Sequence, residues 1–252
     1  MSHILITGAS SGLGEALALD YAAAGVRLAL SGRNAERLEA VAVRCRAKGA
    51  EVEARSLDVT QRQDMADWIA ALETARPLDL VIANAGVSGG DGALSHEPEE
   101  QMRGLFAINV DGVFNTVLPI LEPMRTRGRG QIVIMASLAG MRGFGAAPAY
   151  CSSKAAVRVW GEGLRLRLAP NGVKVNVVCP GFVKSRITAR NRFPMPFLME
   201  ADQAARVIRK GLEQNRPRIS FPWPVALSMH LLAALPPAWT DWALSRMPQK
   251  EG

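Results

Sequence analysis

Cysteine is scarce in this sequence, and its spacing excludes two classes of protein. The three copies, Cys45, Cys151 and Cys179, form no Cys-x-x-Cys pair and leave an odd count. Neither a disulfide framework nor a metal site is therefore expected. Long charge runs are missing as well. Lys and Arg number 30 against 23 Asp and Glu, a formal charge of +7, but they are scattered. The densest cluster, Arg125, Arg127 and Arg129 among glycines, reads as a solvated loop before a strand rather than a phosphate-binding stripe, which sets nucleic-acid binding aside. The apolar run Val225–Leu235 is shorter than the roughly 20 residues that a bilayer span needs. The N-terminus enters an apolar run at Ile4–Ile6 with no charged leader, so the expectation is a cytoplasmic protein with reduced thiols. No linker, repeat or low-complexity tract divides the chain before about residue 185, and a single domain over 1–252 is expected.

What is present is a regular alternation. Apolar runs of strand length recur at His3–Ile6, Arg27–Leu30, Glu51–Ser56, Leu78–Ala83, Gln131–Met135 and Lys174–Val178, with helix-length segments between them. Strands that alternate with helices pair in parallel, buried on both faces, which accounts for near-continuous apolar stretches such as Leu80–Ala83. The predicted architecture is a doubly wound three-layer α/β fold. After residue 185 the pattern changes: Phe193–Met199 is apolar and broken by prolines, and Phe221-Pro222-Trp223-Pro224 opens an apolar C-terminal extension over Arg216–Met247.

The first strand leads into Thr7-Gly8-Ala9-Ser10-Ser11-Gly12-Leu13-Gly14, and Glu15–Ala24 reads as an Ala- and Leu-rich helix. Strand, glycine turn and helix start come in the order a dinucleotide site needs. Glycines let the backbone approach a pyrophosphate, which the free N–H groups at the helix start stabilise. The motif has the TGxxxGxG form of the short-chain dehydrogenase/reductase family. The chain resembles that family further through Asp58-Val59, Asn84-Ala85-Gly86, Asn109-Val110-Asp111-Gly112, Ser137, Tyr150-Cys151-Ser152-Ser153-Lys154 and Pro180-Gly181, in order, over roughly residues 3 to 185. The resemblance implies a Rossmann-type domain with a seven-stranded parallel sheet and a bound nicotinamide nucleotide.

Cofactor choice is read at the end of the second strand, where an acid binds the ribose hydroxyls of NAD and repels a 2′-phosphate. The segment here is Leu30-Ser31-Gly32-Arg33-Asn34, with no acid and with a guanidinium suited to phosphate, which points to NADP (NADPH). Arg33 as a merely solvated helix-start residue is the competing reading. The resemblance places Gly8, Ser10, Ser11, Gly12, Leu13 and Gly14 around the pyrophosphate, and Asp58 and Val59 at the adenine. It places Asn84, Ala85 and Gly86 on the cofactor floor, and Pro180, Gly181, Val183 and Ser185 beside the nicotinamide. Asn84 reads as sheet support as readily as a functional contact.

Tyr150 and Lys154 are four apart at the start of a predicted helix, Cys151–Leu168, which puts them on one face about a turn apart. A free tyrosine holds its proton to about pH 10, and a nearby ammonium is expected to lower that value, making Tyr150 a usable acid/base. The family resemblance also gives Lys154 a ribose contact, Ser137 the polarisation of the substrate oxygen, and Asn109, inside another predicted helix, a water in a proton relay. Together these imply interconversion of a carbonyl and an alcohol by hydride transfer. An epimerase or dehydratase of the same family, or a non-catalytic NADP-sensing protein, are the rivals. The substrate segment Ile187–Met199, rich in Phe, Met and Leu, suggests an apolar or lipid-like substrate. The C-terminal extension is read first as burial against a second subunit or the pocket, in a homodimer or homotetramer. The second reading is peripheral membrane contact through Trp223, Trp239 and Trp242 with Arg216, Arg218, Arg246 and Lys250.

Overall fold

A computed structural model describes residues 2–88, 98–186, 188–190 and 194–244 of the chain. The predicted strands form in it, with boundaries moved by at most two residues: β1 (Ser2–Ile6), β2 (Val26–Gly32), β3 (Glu51–Ser56), β4 (Leu80–Ala83), β5 (Gly130–Met135) and β6 (Val173–Pro180). A seventh, β7 (Arg218–Phe221), lies where the sequence reading had only an apolar extension. Four residues are too few to show periodicity. The strand order is β3-β2-β1-β4-β5-β6-β7, and every pairing is parallel. The order reverses between β1 and β4, which opens a crevice at the carboxyl ends of these strands.

Side-chain alternation along the strands sorts the helices onto two faces. On one face Leu5 of β1 joins Trp68, Ile69 and Leu72 of α3 (Arg62–Ala75), Val117 and Ile120 of α5 (Gly112–Arg127), and Val157 of α6 (Pro148–Leu168). On the other, Ile4 and Ile6 join Leu17 of α1 (Gly12–Tyr21), Leu38 and Val41 of α2 (Ala35–Ala47), and Ile208 of α7 (Ala201–Glu213). The helical run Glu99–Arg127, which includes α4 (Glu99–Phe106), is long and apolar enough to cross a membrane by length and composition. Its Val113, Val117, Ile120 and Met124 are buried against the sheet, as in a core helix.

The arginine cluster departs from expectation. Gly128 adopts φ +68° and turns the chain back at the end of α5. Arg127 pairs with Glu73 and donates to the Leu78 carbonyl, largely out of solvent, so it ties the end of α5 to α3 and to the loop that leads into β4. The C-terminal extension folds as α8 (Trp223–Ala234) and α9 (Pro237–Leu244). The inner face of α8 packs Ala226, Val225 and Met229 on the core. Its outer ridge leaves Trp223 75% exposed, with Leu227, Leu231 and Leu235 at intervals of four, and Trp239 of α9 follows at 73%. The Trp242 side chain, Arg246 and Lys250 lie outside the described residues.

At the opposite end of β1 from the crevice, His3 is fully buried, its Nδ1 2.8 Å from the Arg76 carbonyl and its backbone N–H on Asp79. Burial holds the imidazole below its ordinary pKa, aided by the Arg27 and Arg76 charges, while the Arg76 carbonyl and Asp79 oppose the shift. The unfolded chain therefore takes up a proton before the folded one does, and the stability carried by neutral His3 is lost as pH falls below about 6.5. Thermal melts between pH 7.5 and 5 (about one unit either side of that value) should fall more steeply for the wild type than for His3→Gln; equal slopes contradict this account.

Candidate active site

The crevice begins where β1 hands over to α1. Gly8 and Gly12 have φ of +68° and +59°, and a Cβ on Gly8 would stand 2.7 Å from the Ala85 Cα. Gly14 is tighter: its Cβ would meet the Gly8 carbonyl at 2.3 Å and Asn84 Nδ2 at 2.5 Å. The first helix starts inside this turn, three residues earlier than predicted, because glycines leave the backbone free to coil at once. Asn84 locks the arrangement by donating through Nδ2 to the Thr7 and Gly8 carbonyls at 2.9 and 3.3 Å. Buried Thr7 accepts from the Asn84 and Ala85 backbone N–H groups through Oγ1. Sheet support is thus an observed role of Asn84.

The cleft encloses about 610 Å³ and is lined by every residue expected at the cofactor: Gly8, Ser10, Ser11, Gly12, Leu13, Gly14, Arg33, Asp58, Val59, Asn84, Ala85, Gly86, Tyr150, Lys154, Pro180, Gly181, Val183 and Ser185. Asp58 Oδ1 accepts from the Thr60 backbone and hydroxyl, shaping the turn after β3. Gly32 packs on Ser10, whose Oγ would lie 2.9 Å from a Cβ there, so the acid that binds ribose hydroxyls has no room without displacing Ser10. Arg37, which the sequence reading missed, lines the same end, and its Nε is buried with no hydrogen-bond partner among the described residues. Its spacing of four from Arg33 was the available signal: Asn34 caps α2 by accepting from the Arg37 N–H at 2.8 Å, which fixes that turn.

At the other end, α6 starts at Pro148 rather than Cys151, proline being suited to a first helical turn. Tyr150 and Lys154 are brought to the cleft together, as expected. Ser137, just beyond β5, hydrogen-bonds to Tyr150 and also accepts from the Ala139 N–H at 3.1 Å. Lys154 is 4% exposed and donates to the Met135 carbonyl at 3.0 Å. Asn109 lies behind the cleft wall, fully buried, in a π-helical turn, Ala107–Asp111, rather than the regular helix expected. Gly86 packs against both Asn109 and Lys154: a Cβ there would lie 3.1 Å from both Asn109 Oδ1 and Lys154 Nζ.

One expectation is corrected. Burial raises the Tyr150 pKa, and the hydrogen bond with Ser137, not the charge of Lys154, opposes the rise. Lys154 is itself pushed down to about 8 by burial. The dry setting that brings the two side chains together penalises the charged form of each. Of the predicted substrate segment, Ile187 and residues 191–193 lie outside the described residues. The rest includes a short 3₁₀ turn, Thr188–Arg190, and Met199 bridges to Val183.

The comparisons agree with this architecture. Residues 2–194 match the model of the short chain dehydrogenase family, and the chain belongs to that family of oxidoreductases. An uncharacterized oxidoreductase of Myxococcus xanthus is 43% identical over 244 residues, 96% of each chain. The 2-(R)-hydroxypropyl-CoM dehydrogenase of Xanthobacter autotrophicus is 35% identical over 193 residues, 75% of this chain and 77% of that one. Among solved structures, a short-chain dehydrogenase from Sphingobium yanoikuyae in complex with NADPH superposes with a TM-score of 0.83 at 27% identity, covering 100% of this chain and 98% of that one.

Lys154 gives the site a stability signature. Its pKa is about 8 in the folded chain against 10.5 as the reference, so between those values the unfolded chain holds more protons and stability rises with pH. Urea unfolding at pH 7, 8.5 and 10 (about the span between those pKa values) should show the wild type gaining on Lys154→Met as pH rises. A constant difference would contradict a buried ammonium.

Proposed function

We propose that this protein is a single-domain, NADP-dependent oxidoreductase that interconverts a ketone or aldehyde and an alcohol on an apolar or lipid-like substrate in the cytoplasm. The observation that carries this reading is the placement of Lys154 and of Tyr150, hydrogen-bonded to Ser137, at one end of a glycine-walled cleft. At the other end the pair Arg33 and Arg37, free of any acid at position 32, favours a 2′-phosphate. The buried unpartnered Nε of Arg37 is a donor in want of an acceptor there. The Sphingobium relative bound to NADPH supports the same choice.

The nicotinamide nucleotide, when bound, supplies or accepts the hydride. The chain does the rest. Gly8, Gly12 and Gly14 keep side chains out of the pyrophosphate path, and the open N–H groups at the start of α1 offset its charge. Ser137 donates to the substrate oxygen and Tyr150 transfers the proton to or from it. Lys154 holds positive charge beneath the pair and reaches the ribose, with Asn109 behind it. Apolar substrates are favoured because α8 packs against the turn Leu138–Met141 that follows Ser137, and because Phe197 and Leu198 are exposed on the substrate segment. The exposed ridge of α8 favours a homodimer or homotetramer over membrane contact: the sequence has no Lys or Arg between Ile219 and Leu244 to meet anionic lipid.

NADPH should bind at least about tenfold more tightly than NADH, about 1.4 kcal/mol for one charge-assisted contact. Arg33→Ala or Arg37→Ala should erode that preference, and equal affinities for the wild type would contradict it. Carbonyl-dependent NADPH oxidation over a panel of apolar ketones should be measurable for the wild type. It should be nearly abolished in Tyr150→Phe, with NADPH affinity within a few-fold. Substantial turnover by the phenylalanine variant would assign the proton to another group.

A further inference from the structure

Ser153 precedes Lys154 and is fully buried. Its Oγ stands between two elements: 2.8 Å from the Tyr150 carbonyl in the first turn of α6, and 3.1 Å from Asn109 Nδ2 in the π-helical turn. The direction of each bond follows from its neighbours. The Val87 N–H can only donate, so the Asn109 atom 2.9 Å from it is the amide oxygen. Asn109 Nδ2 is left as donor to the Val87 carbonyl at 2.9 Å and to Ser153. Ser153 Oγ accepts there, and its single proton goes to the Tyr150 carbonyl. A one-way chain of donors thus runs from Val87 through Asn109 and Ser153 to the backbone of Tyr150.

We propose that Ser153 is a positioning residue, whose hydroxyl fastens the first turn of α6 to the π-helical turn and so sets where Tyr150 and Lys154 stand relative to Asn109. The inference rests on the reading of Tyr150 as the proton carrier. A buried helical serine ordinarily bonds back to its own helix; that accounts for the contact with Tyr150 and leaves the contact with Asn109 unexplained. The π-helical turn closes with a wide i→i+5 bond, Gly112 N–H to the Ala107 carbonyl, in place of the usual i→i+4 one, so α6 meets Asn109 at a local widening of the helix; a Cβ on Gly86 would lie 3.1 Å from both Asn109 Oδ1 and Lys154 Nζ. A slackened α6 would also weaken the Ser137–Tyr150 hydrogen bond, which opposes the upward shift of the phenol pKa.

The test reads Tyr150 directly. The chain has two tyrosines, Tyr21 and Tyr150, so subtracting a Tyr150→Phe titration isolates the phenolate absorbance of Tyr150 in the NADPH complex. Ser153→Ala should move that titration upward by about half a unit, about threefold in acidity. It should also lower kcat by about tenfold with KM and NADPH affinity within about twofold. Asn109→Ala/Ser153→Ala should be no worse than Asn109→Ala alone, since both act through one chain. Ser153→Thr, which keeps the hydroxyl, should restore the wild-type titration. An unshifted titration with full kcat, or additive losses in the double variant, overturns the proposal. Should Ser153→Ala fail to fold, Ser153→Cys, which conserves volume and weakens both bonds, is read by the same criteria. The titration needs no substrate: a wild type with no turnover defeats the proposed function and leaves the positional shift to be judged on its own.

Discussion

Backbone must touch backbone where β1 becomes α1, and the cleft depends on that contact. With a side chain on Gly14 the helix would be driven off the Gly8 carbonyl, from which a Cβ would stand only 2.3 Å. The amide of Asn84, which reaches across to the same carbonyl, would lose its place. The contact joins β1 to β4, the strands between which the sheet order reverses. It therefore positions both halves of the cleft at once: the α2 end, with Ser10 against Gly32, and the Gly86 end, with Lys154 and Asn109 on either side. Fine adjustments of the reacting groups are built on this close approach.

The reacting end is a problem in desolvation. Lys154 is buried and Tyr150 half-buried at the cleft wall, and desolvation raises the pKa of the phenol while lowering that of the ammonium. Their values are drawn apart from what an ion pair would need, so the phenol is kept protonated in its resting setting and the ammonium sits near its titration point. Ser137 supplies the opposing stabilisation. In this arrangement the serine does two things with one hydroxyl, supporting the tyrosine and accepting from the Ala139 N–H. The buried amide of Asn109, with its partners satisfied on every side, keeps the neighbouring wall rigid.

The strand pattern and the glycine turn were legible in the sequence, because each leaves a periodic or positional trace; the contiguity of the cofactor residues was implied by the family resemblance. Leu80–Ala83 reads as a buried strand on composition alone, and Thr7–Gly14 marks its own turn. Other features left no such trace. The four residues of β7 are too short for a pattern, and their pairing is fixed by β6. The π-helical turn at Asn109 costs no residue that local propensity would flag. Arg127 looked solvated because its partner Glu73 lies 54 residues away. The expected action of Lys154 on Tyr150 followed from spacing alone; spacing carries no information about burial, and burial decided the direction of both pKa shifts.

The central claim is that this cleft moves a hydride between a nicotinamide and a carbonyl carbon while Tyr150 handles the proton. Its most direct test uses NADPH deuterated at the transferable C4 position, with an apolar ketone and the wild-type protein, followed by mass spectrometry of the alcohol. The account predicts one deuterium on the carbinol carbon, absent from the product when only the solvent is deuterated. Alcohol formed without cofactor deuterium, or deuterium delivered to that carbon from solvent, would contradict it.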